Sequence, residues 1–574
     1  MKKSIFYIVA ASALLFSSCD DLLDKNPRDT FVNNPAFWSN NNQVESYSNG
    51  FYEFYGGASN FYFNALNDDQ VEPTFANWSF TTVPAKSGAW SNRFTNIRRI
   101  NYMLDGLKTS TLPAAQRKRY EAIGRLNRAY EYAELTKMYG DVQWENKAIT
   151  DLNDEAVYGE RTDQDVVMDS VLNDLNFAID NLESNTSDKT LWSKELALAI
   201  KSDACLYWGT YCKYRTQADN GKAADLTLAN KFLQECVNAS EQLMNSGKFS
   251  LDPWTVAGGK TYTIFNSINI GNNPEVIFYR NYEKDLVMQP SSLADYTSGS
   301  TTQKGITKDA IDAFLFLDGK PKATTSLPKD DKAVLDANGN YSIAHFLANK
   351  DKRLSLLVDP ILAFKDHGWI RNEPSPDGPL PAEMTSSTGY TIYKFDNPQL
   401  PLHYRTNTNT SYMDVPMYWY ATILLNEAEA KAELGTITQT DLDKTINLLQ
   451  ARAGLPNMTT TPAADPANNA GVGDLIWEIR RCRRCELILA NDYRYWDLVR
   501  WHQLDKLDSN TYPDINLGAN VTNVSDADKN AQGYLNGTSA TRKFEAKYYH
   551  YPVPANEIEL VKKSGKVLTQ NPGW

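Results

Sequence analysis

The sequence predicts a mainly α protein of stacked helical hairpins, interrupted by an irregular, loop-rich capping region with a few short strands. Three observations lead there. Apolar residues recur at three- and four-residue spacings in two blocks, residues 92–244 and 413–504, which is the period of an amphipathic helix. Alanines recur inside the first block, at Ala122, Ala129, Ala133, Ala197, Ala199 and Ala204, and small side chains let helices approach closely. Between the blocks, over residues 250–412, Gly, Pro, Ser, Thr and Asn rise and the helical spacing fades.

The 574 residues are 42% hydrophobic and 22% charged, enough to bury a large core. The net charge of −12 lacks the basic footprint that nucleic acid requires. The 13 Trp, 32 Tyr and 22 Phe serve a core first, yet Tyr and Trp also pair an apolar face with a polar handle, which suits flat ligands such as sugars.

Residues 1–18 read as a signal peptide: Met1-Lys2-Lys3 is basic, Ile5 to Phe16 is a short apolar run, and Ser17-Ser18 precede Cys19. The run is too short to span a bilayer comfortably. Leu15-Phe16-Ser17-Ser18-Cys19 resembles a bacterial lipobox, with Phe16 where Leu is usual, and makes Cys19 the lipidation site. Asp20-Asp21 resembles the acidic export signal of surface lipoproteins. The alternative is an ordinary signal peptide with an incidental cysteine. Residues 19–60 then form a lipidated tether and an extended N-terminal arm.

Residues 61–250 hold an aromatic loop and the first helical half. Helices are expected over Asn92–Leu107, from Pro113 to a stop at Gly140, over Asp163–Leu182, Leu191–Tyr214 and Leu228–Met244. Proline is tolerated in a first turn and glycine favours an end. This pattern resembles tetratricopeptide-type stacking. Residues 251–412 are the irregular capping insertion, with β-like pieces at Glu275–Tyr279 and Tyr390–Tyr393. The second helical half, residues 413–574, is expected to contain helices Met413–Leu434, Asp441–Ala453, Gly473–Leu489 and Arg494–Leu504.

Motifs for chemistry are absent. The five histidines form no HExxH and no close pair, and there is no GxSxG elbow, Walker loop or dinucleotide glycine fingerprint. Asp68-Asp69 is a carboxylate pair of the type a glycosidase uses, but ligand hydrogen bonding or loop structure is the favoured reading. Cys482 and Cys485 have CxxC spacing inside a helical pattern and read as buried helix residues; Cys205, Cys212 and Cys236 complete an odd set outside the leader. No catalytic residue, metal site or cofactor is expected.

Five blocks carry a family resemblance: Tyr120 to Leu135 with Tyr139-Gly140-Asp141-Val142; Leu424 to Ala430; Ile446 to Leu455; Ile479 to Leu487 with Tyr493 to Trp501; and Tyr551-Pro552-Val553-Pro554 with Gln570 to Trp574. Together they resemble the SusD/RagB family of outer-membrane nutrient-binding lipoproteins. Asn127 stands where that family often has Phe, and Asn491-Asp492 where Glu-Gly is common. The resemblance implies a tetratricopeptide-like fold and an outer-membrane, lipid-anchored protein facing the cell exterior. It implies an oligosaccharide or polysaccharide ligand and a SusC-like TonB-dependent transporter as partner. Asp141, Arg452, Glu486, Asp497 and Arg500 are expected to cap helices or pair ions.

In that family ligands meet variable loops, here residues 64–80 and 279–303. The expected contacts are Trp78 and Tyr296 as stacking platforms and Asp68 and Asn77 as hydrogen-bond partners. Asp69, Phe80, Tyr279, Tyr282 and Met288 lie beside them. Trp90 reads as a packing residue; Trp369 lies in another variable loop. Alternatives are a RagB-like peptide-binding lipoprotein, a surface glycoside hydrolase, and a structural lid without ligand affinity.

Overall fold

The computed structural model describes residues 34–56, 66–74, 77–151, 153–286, 288, 304–371, 376–378, 383–407 and 409–574. The first helical half contains α1 (Gly88–Lys108), α2 (Ala114–Tyr139), α3 (Gln164–Asn181), α4 (Lys194–Tyr214) and α5 (Leu226–Asn245); the second contains α6 (Tyr420–Leu434), α7 (Ile446–Ala453), α8 (Asp474–Leu487) and α9 (Tyr493–Arg500). Consecutive helices α1 to α6 pack against one another, α6 packs on α8, and α9 returns to α4. The stack is tetratricopeptide-like, as the spacing predicts.

Local chemistry sets the ends. The Ser193 hydroxyl accepts from the Leu196 amide and opens α4; Asp225 does the same for Leu228 at the start of α5. Gly435 and Gly454 close α6 and α7 with φ of 71° and 79°, a conformation that glycine adopts without strain. Gly209 answers a different need. A Cβ there would sit 2.7 Å from Leu233 Cγ and 2.9 Å from its backbone nitrogen, so the α4–α5 contact requires a bare backbone.

The capping region is built of short antiparallel pairs. Labelled in chain order, the strands are β1 (Gln70–Val71), β2 (Thr255–Ala257), β3 (Lys260–Tyr262), β4 (Val276–Arg280), β5 (Gly305–Ile306), β6 (Val334–Leu335), β7 (Tyr341–Ser342), β8 (Trp369–Ile370), β9 (Glu383–Met384), β10 (Val415–Trp419), β11 (Leu517–Asn520) and β12 (Tyr534–Asn536). They pair as β1–β5, β2–β3, β4–β10, β6–β7, β8–β9 and β11–β12.

Four expectations are corrected. Met413–Trp419 is not helical: Val415 to Trp419 are all buried and form β10 against β4, with Val415 opposite Arg280 and Trp419 opposite Val276. A continuous apolar run does not distinguish a buried strand from a buried helix. Tyr390–Tyr393 makes only a single bridge, Ile392 with Val358. The expected Asp441–Ala453 helix breaks at Thr445 into Gln439–Lys444 and α7. The arm is partly helical, over Pro35–Trp38 and Asn41–Asn49, each opened by an asparagine cap.

The family-like blocks do structural work. Arg500 donates to both oxygens of Glu429 at 2.6 and 2.7 Å and to Asp497 at 2.8 Å. Arg452 bridges Glu275 and Glu486, and Asp141 accepts from the Gln164 amide at the start of α3. In the tail, Asn571 donates to the Tyr139 and Tyr551 carbonyls, pinning residues 551–574 over the end of α2. Cys205, Cys212, Cys236, Cys482 and Cys485 are free and buried. No helix among the described residues is long and apolar enough to cross a membrane.

Candidate functional site

The first candidate stretch packs against the C-terminal half. Arg494 donates to both oxygens of Asp68, at 2.7 and 2.6 Å, and Arg484 donates to Asp69 at 2.8 Å. The two carboxylates are 2% and 0% exposed. Burial works against an ionised Asp68, but Arg484 and Arg494 outweigh it and hold its carboxyl well below the usual range. Burial moves Asp69 the other way, opposed by Arg484 and reinforced by Asp68. A carboxylate held in a bidentate arginine fork is matched within the protein, and this pair has little freedom to act as acid and base.

Trp78, expected as a stacking platform, is packed into the fold. It is 7% exposed, its ring stacks on Tyr548 at 4.3 Å, and its Nε1 donates to the Lys543 carbonyl at 2.7 Å. Both its apolar face and its polar handle are engaged by the tail. Asn77 is exposed but its side chain accepts from the Trp78 amide at 2.8 Å. Phe80 is half-buried and meets Tyr551 edge-on, their ring centres 5.0 Å apart. Trp90 is buried in α1 against Tyr139, as expected of a packing residue. Trp369 is half-buried in β8.

The second stretch leads to a different surface. β4 brings Tyr279 to a half-buried position. Tyr282 is 9% exposed and its amide donates to Asp414, which also accepts from Ile270. Burial raises the Asp414 carboxyl to about 6 against those two backbone bonds. Beyond Tyr282 the chain emerges: Lys284 and Asp285 are exposed, Leu286 is 74% exposed and Met288 is 37% exposed. Asp285 has a left-handed backbone, φ 61°. Tyr296 and Cys19 lie outside the described residues.

A segment that the sequence reading passed over completes this surface. The Tyr404 hydroxyl donates to Asp285 at 2.8 Å, and the Lys284 ammonium lies 5.0 Å from the Tyr404 ring centre. The rings of Tyr412 and His403 meet Tyr404 edge-on at 5.1 and 5.0 Å. Tyr404 and Tyr412 are half-buried and His403 is exposed. The next residue fixes the segment: Arg405 is buried and donates twice to Asp396 at 3.1 and 2.9 Å. Asp396 is bound in turn by Arg371 at 2.8 Å. A buried ion-pair knot beneath thus holds three adjoining rings, a carboxylate and an amine at the surface. Such a surface offers apolar faces to C–H groups and charged partners to hydroxyls. The signal available in the sequence was the pair Tyr404 and Tyr412 in an aperiodic stretch.

A sequence model of the SusD family matches residues 263–574. A SusD-like protein from Bacteroides ovatus is 27% identical over 268 residues, covering 42% of this chain and 46% of the relative, so the match spans about half of that protein. SusD-like protein P38 from Formosa agariphila is 21% identical over 519 residues, covering 87% and 91%. Among solved structures, a SusD-like carbohydrate binding protein from Bacteroides fragilis superposes with a TM-score of 0.66 at 19% identity, over 92% of this chain and 99% of that one. The helical stack, the ion-paired signature residues and the matched residues 263–574 lead to one conclusion: the chain belongs to the SusD family.

Proposed function

We propose that this protein is a cell-surface lipoprotein that captures an oligo- or polysaccharide and delivers it to a SusC-like TonB-dependent transporter in the outer membrane. The observation that carries the reading is the surface of Tyr404, Tyr412 and His403 beside Asp285 and Lys284. Aromatic faces take the C–H side of a pyranose, while a carboxylate and an ammonium meet its hydroxyls. The structural likeness to a carbohydrate binding protein supports the same choice.

In this reading Cys19 carries the lipid, residues 20–33 join it to the first described helix, and the membrane is met through the anchor alone. Several acyl chains on one residue hold firmly, since each buried CH₂ contributes about 0.8 kcal/mol. The protein works by binding, with no chemical step. Asp68 and Asp69 are tied to arginines, so labelled polysaccharide is expected to be retained intact.

The test is affinity gel electrophoresis of the mature, lipid-free chain through a panel of polysaccharides, with Tyr404→Ala in the neighbouring lane. Retardation by at least one glycan, weakened in the variant, is the expected result. Retardation by none overturns glycan capture and directs the search to peptides or to a lid without ligand affinity.

A further inference from the structure

A second recess lies away from the aromatic surface, where α8 and α9 meet the Asp68 loop and residues 465–469. It is a cavity of 330 Å³, within the range of small-ligand pockets. Its wall carries five cations, Arg480, Arg481, Arg484, Arg494 and Lys506, and four aspartates, Asp68, Asp309, Asp312 and Asp465. Exposed Ala467 and Asn469 at its edge give it a way to solvent.

Matching these charges shows which are spoken for. Asp68 is held by Arg494 and Arg484, Asp309 by Arg484, and Asp465 by Arg481. Asp312 pairs with Lys308, which is outside the wall. Two cations remain incompletely matched. Lys506 has no hydrogen-bond acceptor among the described residues and rests 5.0 Å from the Trp477 ring centre. Arg480 is 4% exposed and gives its Nη2 to Glu433 at 2.8 Å, but its Nε and Nη1 are buried without a partner. Buried donors without acceptors are costly, and an ammonium beside two guanidiniums gains most from an added anion. Burial, then Arg494, draws the Lys506 ammonium down to about 8, with Arg484 adding to the shift and Asp68 and Asp309 opposing it.

The remaining wall sets polar groups beside the apolar faces of Trp501, Ile515 and Ala313, as a sugar requires. Gln503, Asn469 and the Tyr512 hydroxyl supply both donors and acceptors. We propose that this cavity receives the anionic group of an acidic sugar, a uronate carboxylate or a sulfate ester, held by Lys506 and Arg480. Trp477 acts as a positioning residue: its indole N–H donates to Asp465 at 3.2 Å, and its ring keeps the Lys506 ammonium over the cavity. The inference rests on the glycan reading and narrows it to acidic saccharides.

The experiment is titration calorimetry of the mature chain with a galacturonate oligosaccharide, a sulfated oligosaccharide and a neutral gluco-oligosaccharide of the same length. Wild type, Lys506→Gln and Lys506→Arg are compared, with thermal melts as folding controls. The expected result is binding of a uronate or sulfated ligand that weakens at least tenfold in Lys506→Gln and recovers in Lys506→Arg. Uronate binding against sulfate binding identifies the anionic group, and either supports the cavity. Acidic ligands bound equally well by Lys506→Gln overturn it. Binding of the neutral oligosaccharide alone overturns it and leaves glycan capture standing. Binding of none of the three, on top of a failed gel panel, removes both.

Discussion

Helices α8 and α9 and the 402–412 segment invert the usual rule about what a protein hides. In α8 and α9 the hidden residues are ionic: Arg480, Arg483, Asp497 and Arg500 are as buried as the leucines around them. On the 402–412 segment the surface residues are aromatic: His403 is exposed and Tyr404 and Tyr412 are only half-covered. The difference teaches where function sits. A buried charge persists only when matched, and each of these four has a carboxylate or guanidinium partner. Such lattices fix the register of a helical stack, and of these four only Arg480 keeps buried donors without a partner. Aromatic rings held at the surface by a buried ion pair, as Tyr404 is by Arg405 and Asp396, do not contribute their full area to the core, and a ligand can use it.

The comparison breaks first at its ionic side. Arg500→Ala leaves Glu429 buried without its bidentate partner, and burial is then opposed only by the more distant Arg483 and Arg480 on a carboxyl that Arg500 now holds well below its usual range. Removing one member of a buried pair costs about 3–5 kcal/mol. Urea unfolding is expected to show that loss, and Arg500→Lys is expected to recover only part of it because the fork geometry is gone. Unfolding midpoints unchanged in Arg500→Ala would show that the lattice is ornamental.

Trp78→Ala tests the border between the two regions. The ring stacks on Tyr548 and lies 6.1 Å from the Phe544 ring centre, with its N–H donated to the Lys543 carbonyl. Truncating such a side chain costs about 3–5 kcal/mol through the cavity it leaves. The expected outcome is a lower melting temperature with glycan affinity following folding. A normal melt with abolished binding would return Trp78 to the role of platform.

These two residues show what a sequence makes legible. The hairpins of the first half were readable to within a few residues because a 3.6-residue period, cap residues and stop glycines are local signals. β10 was not, since Val415 to Trp419 are buried on both faces and show no alternation. The candidate site fared worse for a related reason. Asp68 looks available in an aromatic loop, but its partners Arg484 and Arg494 lie more than four hundred residues away. Tyr404 looks like one tyrosine among many until Asp285 arrives from another segment. Long-range pairing decides which polar and aromatic groups are spent, and no local pattern encodes it.

Lys394 gives a smaller effect with a defined sign. Its ammonium donates to the Ile488 carbonyl at 2.7 Å and lies 4.0 Å from the Phe265 ring centre. Burial draws it down to about 7, only partly opposed by Glu486 and Asp69. Above that pH the unfolded chain still binds a proton that the folded chain has lost, so this group's contribution to stability rises with pH until the ordinary lysine range. Lys394→Met lacks that rise. The stability of the variant relative to wild type is expected to fall by about 1–3 kcal/mol between pH 6 and pH 9. The unpaired Ile488 carbonyl lowers stability at both pH values alike, so the pH difference isolates the titration. A difference independent of pH would mean that Lys394 stays charged in the fold.

The aromatic side of the comparison yields the smallest and most selective change. Tyr404→Ala removes the central ring of the trio and frees Asp285, but it touches no buried pair, since Arg405 anchors the segment from below. Stability is expected to move by less than about 0.5 kcal/mol, as for surface substitutions generally. On the proposed reading, affinity for a glycan ligand is expected to fall about tenfold, near the upper range of a single aromatic contact. Tyr404→Phe separates the two parts of the side chain: it keeps the ring face and loses only the bond to Asp285, so affinity close to wild type assigns the contact to stacking. A loss as large in Tyr404→Phe as in Tyr404→Ala would instead assign it to the hydroxyl and the carboxylate it positions. Wild-type affinity in both variants would take the ligand away from this surface and leave the cationic cavity as the place to look.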